Sequence, residues 1–404
     1  MEEPAIRTWL TRARVARLAV AGIATYVLAA IATFATARGG FDALGIPLGF
    51  DFLAFHGAAQ IGLSGDLAVA FDPAVFAAAL EAKLPGVGYG YYWLYPPTFA
   101  LMILPLGVFP YGAAFWVWTA LGLAAYGGSV WLLARDRLAV IAAFAFPAVW
   151  VSAYHGQNAF FVSALFAVAA HALLARRDGL AGLAIGLLAI KPHLAILIPL
   201  ALAASGRWRA FAYGGAVAIS FTALSTLVFG GEYVVAFLSE GSRLAGAVLR
   251  EEHHWATIAS VFVAAKLFGA PTALAWALHS AVALAAAALV CLRFRRDGVT
   301  RETLALLAAA SLLISPYVMD YDLLLLAVPG VLLFAAPDTR ATNRWDGALA
   351  LLVAMIPLLV VGIGRTGVQI GWLAPVLTLA IVEWRSGKSL FHLPSFPAKA
   401  GTQS

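Results

Sequence analysis

The side chains able to do chemistry in this chain are few and fall in short clusters. Asp51 sits in Gly49-Phe50-Asp51-Phe52-Leu53-Ala54-Phe55-His56, an acid among apolar and aromatic neighbours. Such flanks would desolvate a carboxylate, which suits a general base; a helix N-cap is the equally ready structural role. Lys191 stands with Pro192 and His193 between two apolar runs, 180–190 and 194–204, each only about 16 Å long as helix. An ammonium at the apex of such a broken pair wants a fixed anion, and phosphate is the anion a lipid carries. A snorkelling lysine at a helix end is the plainer role. His155 with Gln157 and Asn158 heads another apolar run, and Tyr95 opens Tyr95-Pro96-Pro97. Arg243 and Arg250, seven apart, would share one helix face and could hold an anionic headgroup or simply face solvent. Glu251-Glu252-His253-His254 has metal-ligand types, but neighbours on a helix point to different faces, so the spacing makes no chelate and no metal is expected there. A solvated or acceptor-facing loop is expected instead. Asp322, directly before Leu323-Leu324-Leu325-Leu326, reads as the cap of a returning helix, which leaves Asp320 to contact a substrate hydroxyl.

These groups need a scaffold, and composition says which kind. Of 404 residues 63% are hydrophobic and 11% charged, and mean hydropathy is +0.90, whereas soluble domains carry about 25% charged residues. A water-soluble fold, a disordered chain, a collagen-like repeat and a coiled coil are all excluded. At roughly 20 apolar residues per crossing the length holds about a dozen helical spans and no large soluble domain. The single Cys291 can make neither an internal disulfide nor a thiolate cluster. The net charge of +6 records which loops stayed in the cytoplasm and does not point to nucleic acid.

Basic clusters then set the topology. Arg7, Arg12, Arg14 and Arg17 precede the apolar run 18–37, an uncleaved signal-anchor with its N-terminus in the cytoplasm. The stretch 39–110 has no clean span and reads as a long first extracytoplasmic loop: 66–84 and the aromatic run Tyr89 to Tyr95 suit the membrane interface, and 98–109 suits a shallow dip. Spans follow at 111–133, 138–153 and 159–175. The short pair 180–190 and 194–204 goes in and returns with Lys191 outermost, which keeps Arg176-Arg177 and Arg207-Arg209 on the inside. Further spans fall at 210–229, 271–292, 303–314, 323–336, 347–363 and 371–382, with an external segment at 230–270. Of the 26 Lys and Arg, only Arg38, Lys83, Lys191, Arg243, Arg250, Lys266 and Arg365 are left outside. The expected protein is all-α and polytopic, with about 10–12 transmembrane or half-membrane helices. It forms one integral-membrane domain over 1–384 and a cytoplasmic tail over 385–404, in a bacterial inner membrane.

Taken in order, the acid in the first external loop, Tyr95-Pro96-Pro97, Gly156-Gln157-Asn158, Lys191-Pro192, and Ser315-Pro316-Tyr317 followed by Asp320-Tyr321-Asp322 resemble the polyprenyl-phosphate-dependent membrane glycosyltransferases of glycosyltransferase family 87. The likeness runs from about Arg14 to Glu383. It implies a GT-C architecture, a lipid-monophosphate sugar donor (mannose by family weight), and a lipid or glycan acceptor activated by the first-loop acid, Asp51 by position. Lys191, His193, Arg243 and Arg250 would hold the donor phosphate. His56, Tyr95, His155, Gln157, Asn158, His254, Tyr317 and Asp320 would line the substrate site. Tyr317 stands where some relatives have His, and the loop His253-His254 is the other candidate for that role. Inverting displacement with no metal or other cofactor is the expected reaction, on the outer face. A multi-span transporter or a lipid-carrier flippase is the competing class. All of this requires Asp51 and Lys191 to face one chamber.

Overall fold

The computed structural model describes residues 11–87, 90–335 and 344–386. Among these residues the chain is helical, with isolated β-bridges only. The first helix, α1 (Arg12–Thr36), is capped by Thr11 and lies against the rest with most of its surface outward. The loop segment that follows holds α2 (Phe50–Ser64), α3 (Pro73–Lys83) and α4 (Pro97–Ile103). Next come α5 (Tyr111–Ala134), α6 (Arg137–Phe144), α7 (Pro147–His155) and α8 (Ala159–Leu174). The short helices α9 (Asp178–Leu187), α10 (Pro192–Ala195) and α11 (Leu197–Ala204) lead into α12 (Trp208–Phe229). After α13 (Gly231–Ala236), α14 (Ser242–Val248) and α15 (Val261–Leu267), the chain ends with α16 (Thr272–Asp297), α17 (Arg301–Ile314), α18 (Ala327–Phe334), α19 (Arg344–Gly364) and α20 (Leu373–Ser386).

Five described helices, α1, α5, α12, α16 and α19, are long and apolar enough to cross a bilayer. The pair α6 and α7, bent by 57°, would be a sixth. The bend falls at Pro147, which cannot continue the hydrogen-bond ladder and holds Phe146 in an extended conformation. This is a polytopic membrane protein. At its centre α17, started by a capping box at Thr300 and Thr303, is buried from Thr303 to Leu313 and packs on α8, α11, α16, α18 and α20.

The broken pair takes the path its charges require. Arg207, just past α11, donates to Asp178 at the start of α9 (2.5 Å) and to the carbonyl of Leu173 at the end of α8 (3.2 Å). The chain therefore goes in along α9 and returns along α11, and Lys191, with a non-helical backbone (φ −144°, ψ 68°), sits at the turn. Thr98 donates to the freed carbonyl of Ala189 at 2.7 Å, satisfying backbone that a break leaves open.

The first-loop segment is packed into the protein: α4 packs on α2 and α12, with Phe99 and Ile103 fully buried. The aromatic run is packed in as well. Trp93 is buried and donates to Tyr233 at 2.7 Å, and Tyr95 stacks on Phe99 at 4.4 Å. Large rings with a polar handle bury well once the handle finds a partner inside the protein. Tyr89, part of the same run, and the tail from residue 387 onward lie outside the described residues.

Candidate active site

A cavity of about 1010 Å³ opens where α2, α7, the Lys191 turn and the loop before α18 meet, and Asp51 and Lys191 both line it. Asp51 is in the first turn of α2, where unpaired backbone N–H groups favour a carboxylate. Gly49 starts that helix at φ +73°, and a Cβ there would lie 2.8 Å from Phe115. Gly156, at φ +66°, ends α7 so tightly that a Cβ would come within 2.5 Å of Phe52. Glycine is what lets the 156–158 turn press against α2.

That contact wires the site together. Gln157 donates its amide to Asp51 Oδ2 at 2.9 Å and, less directly, to the Tyr95 hydroxyl at 3.4 Å. His155 Nδ1 lies 3.1 Å from the same carboxylate oxygen. The next residue, Asn158, accepts from Lys191 Nζ at 3.4 Å. Two adjacent amides thus connect the acid to the cation. Lys191 is buried, lies 4.8 Å above the Tyr321 ring and donates to Asp322 Oδ1 at 2.5 Å.

Asp322 therefore does more than the capping its sequence position suggests. Its second oxygen does accept from the Met319 N–H (3.1 Å), but the first neutralises Lys191. A buried ammonium without a partner would be strongly unfavourable, and the protein itself supplies the anion. His193 and Tyr317 also line the cavity; the Nε2 of His193 is buried with no hydrogen-bond partner.

Several expected residues fall elsewhere. His56, five positions after Asp51, points to another face of α2, approaches the carbonyl of Phe109 (3.0 Å) and borders a separate cavity of about 480 Å³. Asp320 is buried behind the wall: its Oδ1 accepts from the Tyr321 N–H at 2.8 Å, its Oδ2 has no partner, and burial pushes its carboxyl up to about 6. Arg243 is spent on Glu240 at 2.7 Å. Because α14 ends at Val248, Arg250 lies beyond it and the two arginines share no helix face. Neither lines the cavity. Asn158 is fully buried and reaches the site only through Lys191.

Other wall residues were not singled out in the sequence. Arg365, in the turn after α19, lines the cavity and makes no ion pair among the described residues. Its signal was an isolated cation on the side that the charge pattern assigns to the exterior, against the charge bias. Tyr92 donates to Glu251 Oε1 at 2.8 Å, which raises the phenol, while burial lowers His254 below the ordinary imidazole range. The segment carrying His254 is tied to the loop before Tyr321: Ala259 N–H donates to Val318 (2.7 Å) and Asp320 N–H to Thr257 (2.9 Å).

The fold and site so far define a polytopic helical membrane protein with a cavity lined by a carboxylate and two cations, Asp51, Lys191 and Arg365. Residues 93–316 match the model of glycosyltransferase family 87, and the chain belongs to that family. It is a glycosyltransferase. No curated protein and no solved structure matches it. The matched stretch contains Tyr95, Gln157, Asn158, Lys191 and His254, whereas Asp51, Asp322 and Arg365 lie outside it.

Proposed function

We propose that this glycosyltransferase has a GT-C architecture and moves a sugar, mannose, from a polyprenyl-phosphate donor to a lipid or glycan acceptor on the extracytoplasmic side, with inversion at the anomeric carbon. The observation that carries the reading is the shared cavity, in which Asp51 and Lys191 are linked through Gln157 and Asn158.

In this mechanism Asp51 takes the proton of an acceptor hydroxyl as its oxygen attacks the anomeric carbon from one face. The bond from that carbon to the phosphate oxygen breaks on the other face, and its electron pair leaves with the lipid phosphate. Gln157 and His155 keep the carboxylate aimed into the cavity. Lys191 has three N–H donors; Asp322 and Asn158 take two, and the third is left for a phosphate oxygen. Arg365, with no acid partner among the described residues, is the second cation and can grip phosphate with its planar fork. The leaving group is already a phosphate held by fixed cations, so the displacement needs no metal.

Purified protein supplied with radiolabelled polyprenyl-phosphate mannose and a lipid-extract acceptor tests this. Transfer of label supports the reading; binding without transfer points to carrier handling, and no binding removes the polyprenyl-phosphate donor.

A further inference from the structure

Beside the cavity, whose wall includes His253 and His254, three ligand-type side chains converge that the transfer step does not use. Glu251, His253 and His254 each present one donor atom, and these atoms lie within 4.8 Å of one another. Glu251 Oε2 is 3.3 Å from His254 Nε2 and 3.8 Å from His253 Nε2. On an α-helix these neighbours would diverge. Here Glu251 is extended (φ −87°, ψ 107°) and Glu252–His254 form a single tight 3-10 turn, so the two imidazoles pack 3.9 Å apart and both face the acid.

The spacing and the vacancies agree. Tetrahedral zinc with bonds of about 2.0–2.2 Å sets its ligand atoms about 3.3–3.6 Å apart; the Glu251–His254 pair already has that spacing at 3.3 Å, and His253 would have to swing inward to join it, the three atoms lying within 4.8 Å of one another. Glu251 Oε2 and His254 Nε2 are buried and face each other at 3.3 Å, with no well-aligned hydrogen bond to either atom among the described residues. The other oxygen, Oε1, is fixed by the Tyr92 hydroxyl, the kind of outer contact that orients a ligating carboxylate.

We propose that Glu251, His253 and His254 form a binding site for a divalent transition ion of the zinc class, with a fourth position open. Two imidazoles and one carboxylate suit zinc, whereas magnesium and calcium take all-oxygen sets. The ion would fasten the loop after α14 to the Tyr92 segment and so hold the cavity's rim. This inference rests on ligand geometry and stands apart from the sugar-transfer reading.

The test is a Zn²⁺ titration of the full-length protein, purified in detergent and stripped with a chelator, in competition with a chromophoric zinc chelator. One Zn²⁺ per chain is expected, with affinity at least about tenfold weaker in Glu251→Gln and His253→Ala, about tenfold weaker in Tyr92→Phe, and unchanged in His171→Ala, which alters a histidine outside the tripod. The His253 side chain is 64% exposed, so its removal leaves the fold intact. No Zn²⁺ uptake by the wild type, or uptake undiminished in Glu251→Gln and His253→Ala, overturns the site.

Discussion

At the end of the bundle away from the cavity, acids and bases close on each other. Arg12 grips Asp136 with two bonds of 2.9 Å, Arg293 grips Glu383 at 2.6 and 2.8 Å, and Arg385 holds Asp346 at 2.8 Å. Each pair staples helix ends distant in sequence. A hollow of about 700 Å³ lies at that end as well, but its one lining acid, Asp136, is taken by Arg12. At the cavity end Lys191 and Asp322 close on each other too, but Asp51 and Arg365 are left with open valences. Asp51 accepts from an amide and keeps 23% of its side chain exposed, and Arg365 has no acid partner among the described residues. Charge alone does not mark a site in this protein; charge whose hydrogen bonding is incomplete and faces a cavity does.

The strongest way to break that comparison is Asp51→Asn. Transfer should fall by about 10²- to 10⁴-fold, with expression and size-exclusion profile unchanged, as befits loss of a general base. Full activity in this variant removes Asp51 from the mechanism. Lys191 poses a sharper question, because Lys191→Ala strands the buried Asp322 and should cost about 3–5 kcal/mol of stability whatever Lys191 does to substrate. The double variant Lys191→Met with Asp322→Leu separates the roles. It should recover thermal stability while donor use stays down about a hundredfold; recovery of both would make the pair another staple. Arg365→Ala should raise the donor KM about tenfold and leave the acceptor KM unchanged, with Arg365→Lys intermediate. An unchanged donor KM would reclassify Arg365 as a surface cation. At the opposite end, Glu383→Gln should lower Tm by only about 1–3 °C, the effect of about 1–2 kcal/mol in a chain of this length, and move neither KM.

The sequence made some of this legible and hid the rest for physical reasons. Composition settles the membrane class, and two half-length apolar runs around Lys191-Pro192 reveal the broken pair, because length and periodicity are local properties. Asp51, Gln157 and Lys191 stand out because so few polar groups occur in so apolar a chain. Asp322 as the partner of Lys191, 131 positions away, is invisible locally, since that pairing depends on how α17 and the Lys191 turn pack. The fate of His56 depends on the rotation of α2, which five residues of spacing alone do not orient toward the cavity. The convergence of Glu251, His253 and His254 was not legible because their backbone is a 3-10 turn, for which the divergence of α-helical neighbours does not hold.

Asp320 offers the mildest and most diagnostic test of where the site ends. Its carboxyl is raised from an ordinary 3.8 to about 6, chiefly by burial. Below pH 4 it is protonated folded or unfolded and costs nothing. As pH rises from about 4 to about 6 the unfolded chain releases the proton while the folded chain retains it, so the folded state loses stability; above about 6 that loss is constant. Asn at this position carries no such charge. Asp320→Asn should therefore match the wild type in Tm near pH 4 and exceed it near pH 7.5, by an amount of order 1–3 kcal/mol, with transfer unchanged. A Tm advantage that is absent or reversed at pH 7.5 would mean that His155 holds the Asp320 charge in place. Together with a loss of transfer, that result would move the boundary of the site one residue deeper, from Tyr321 to Asp320.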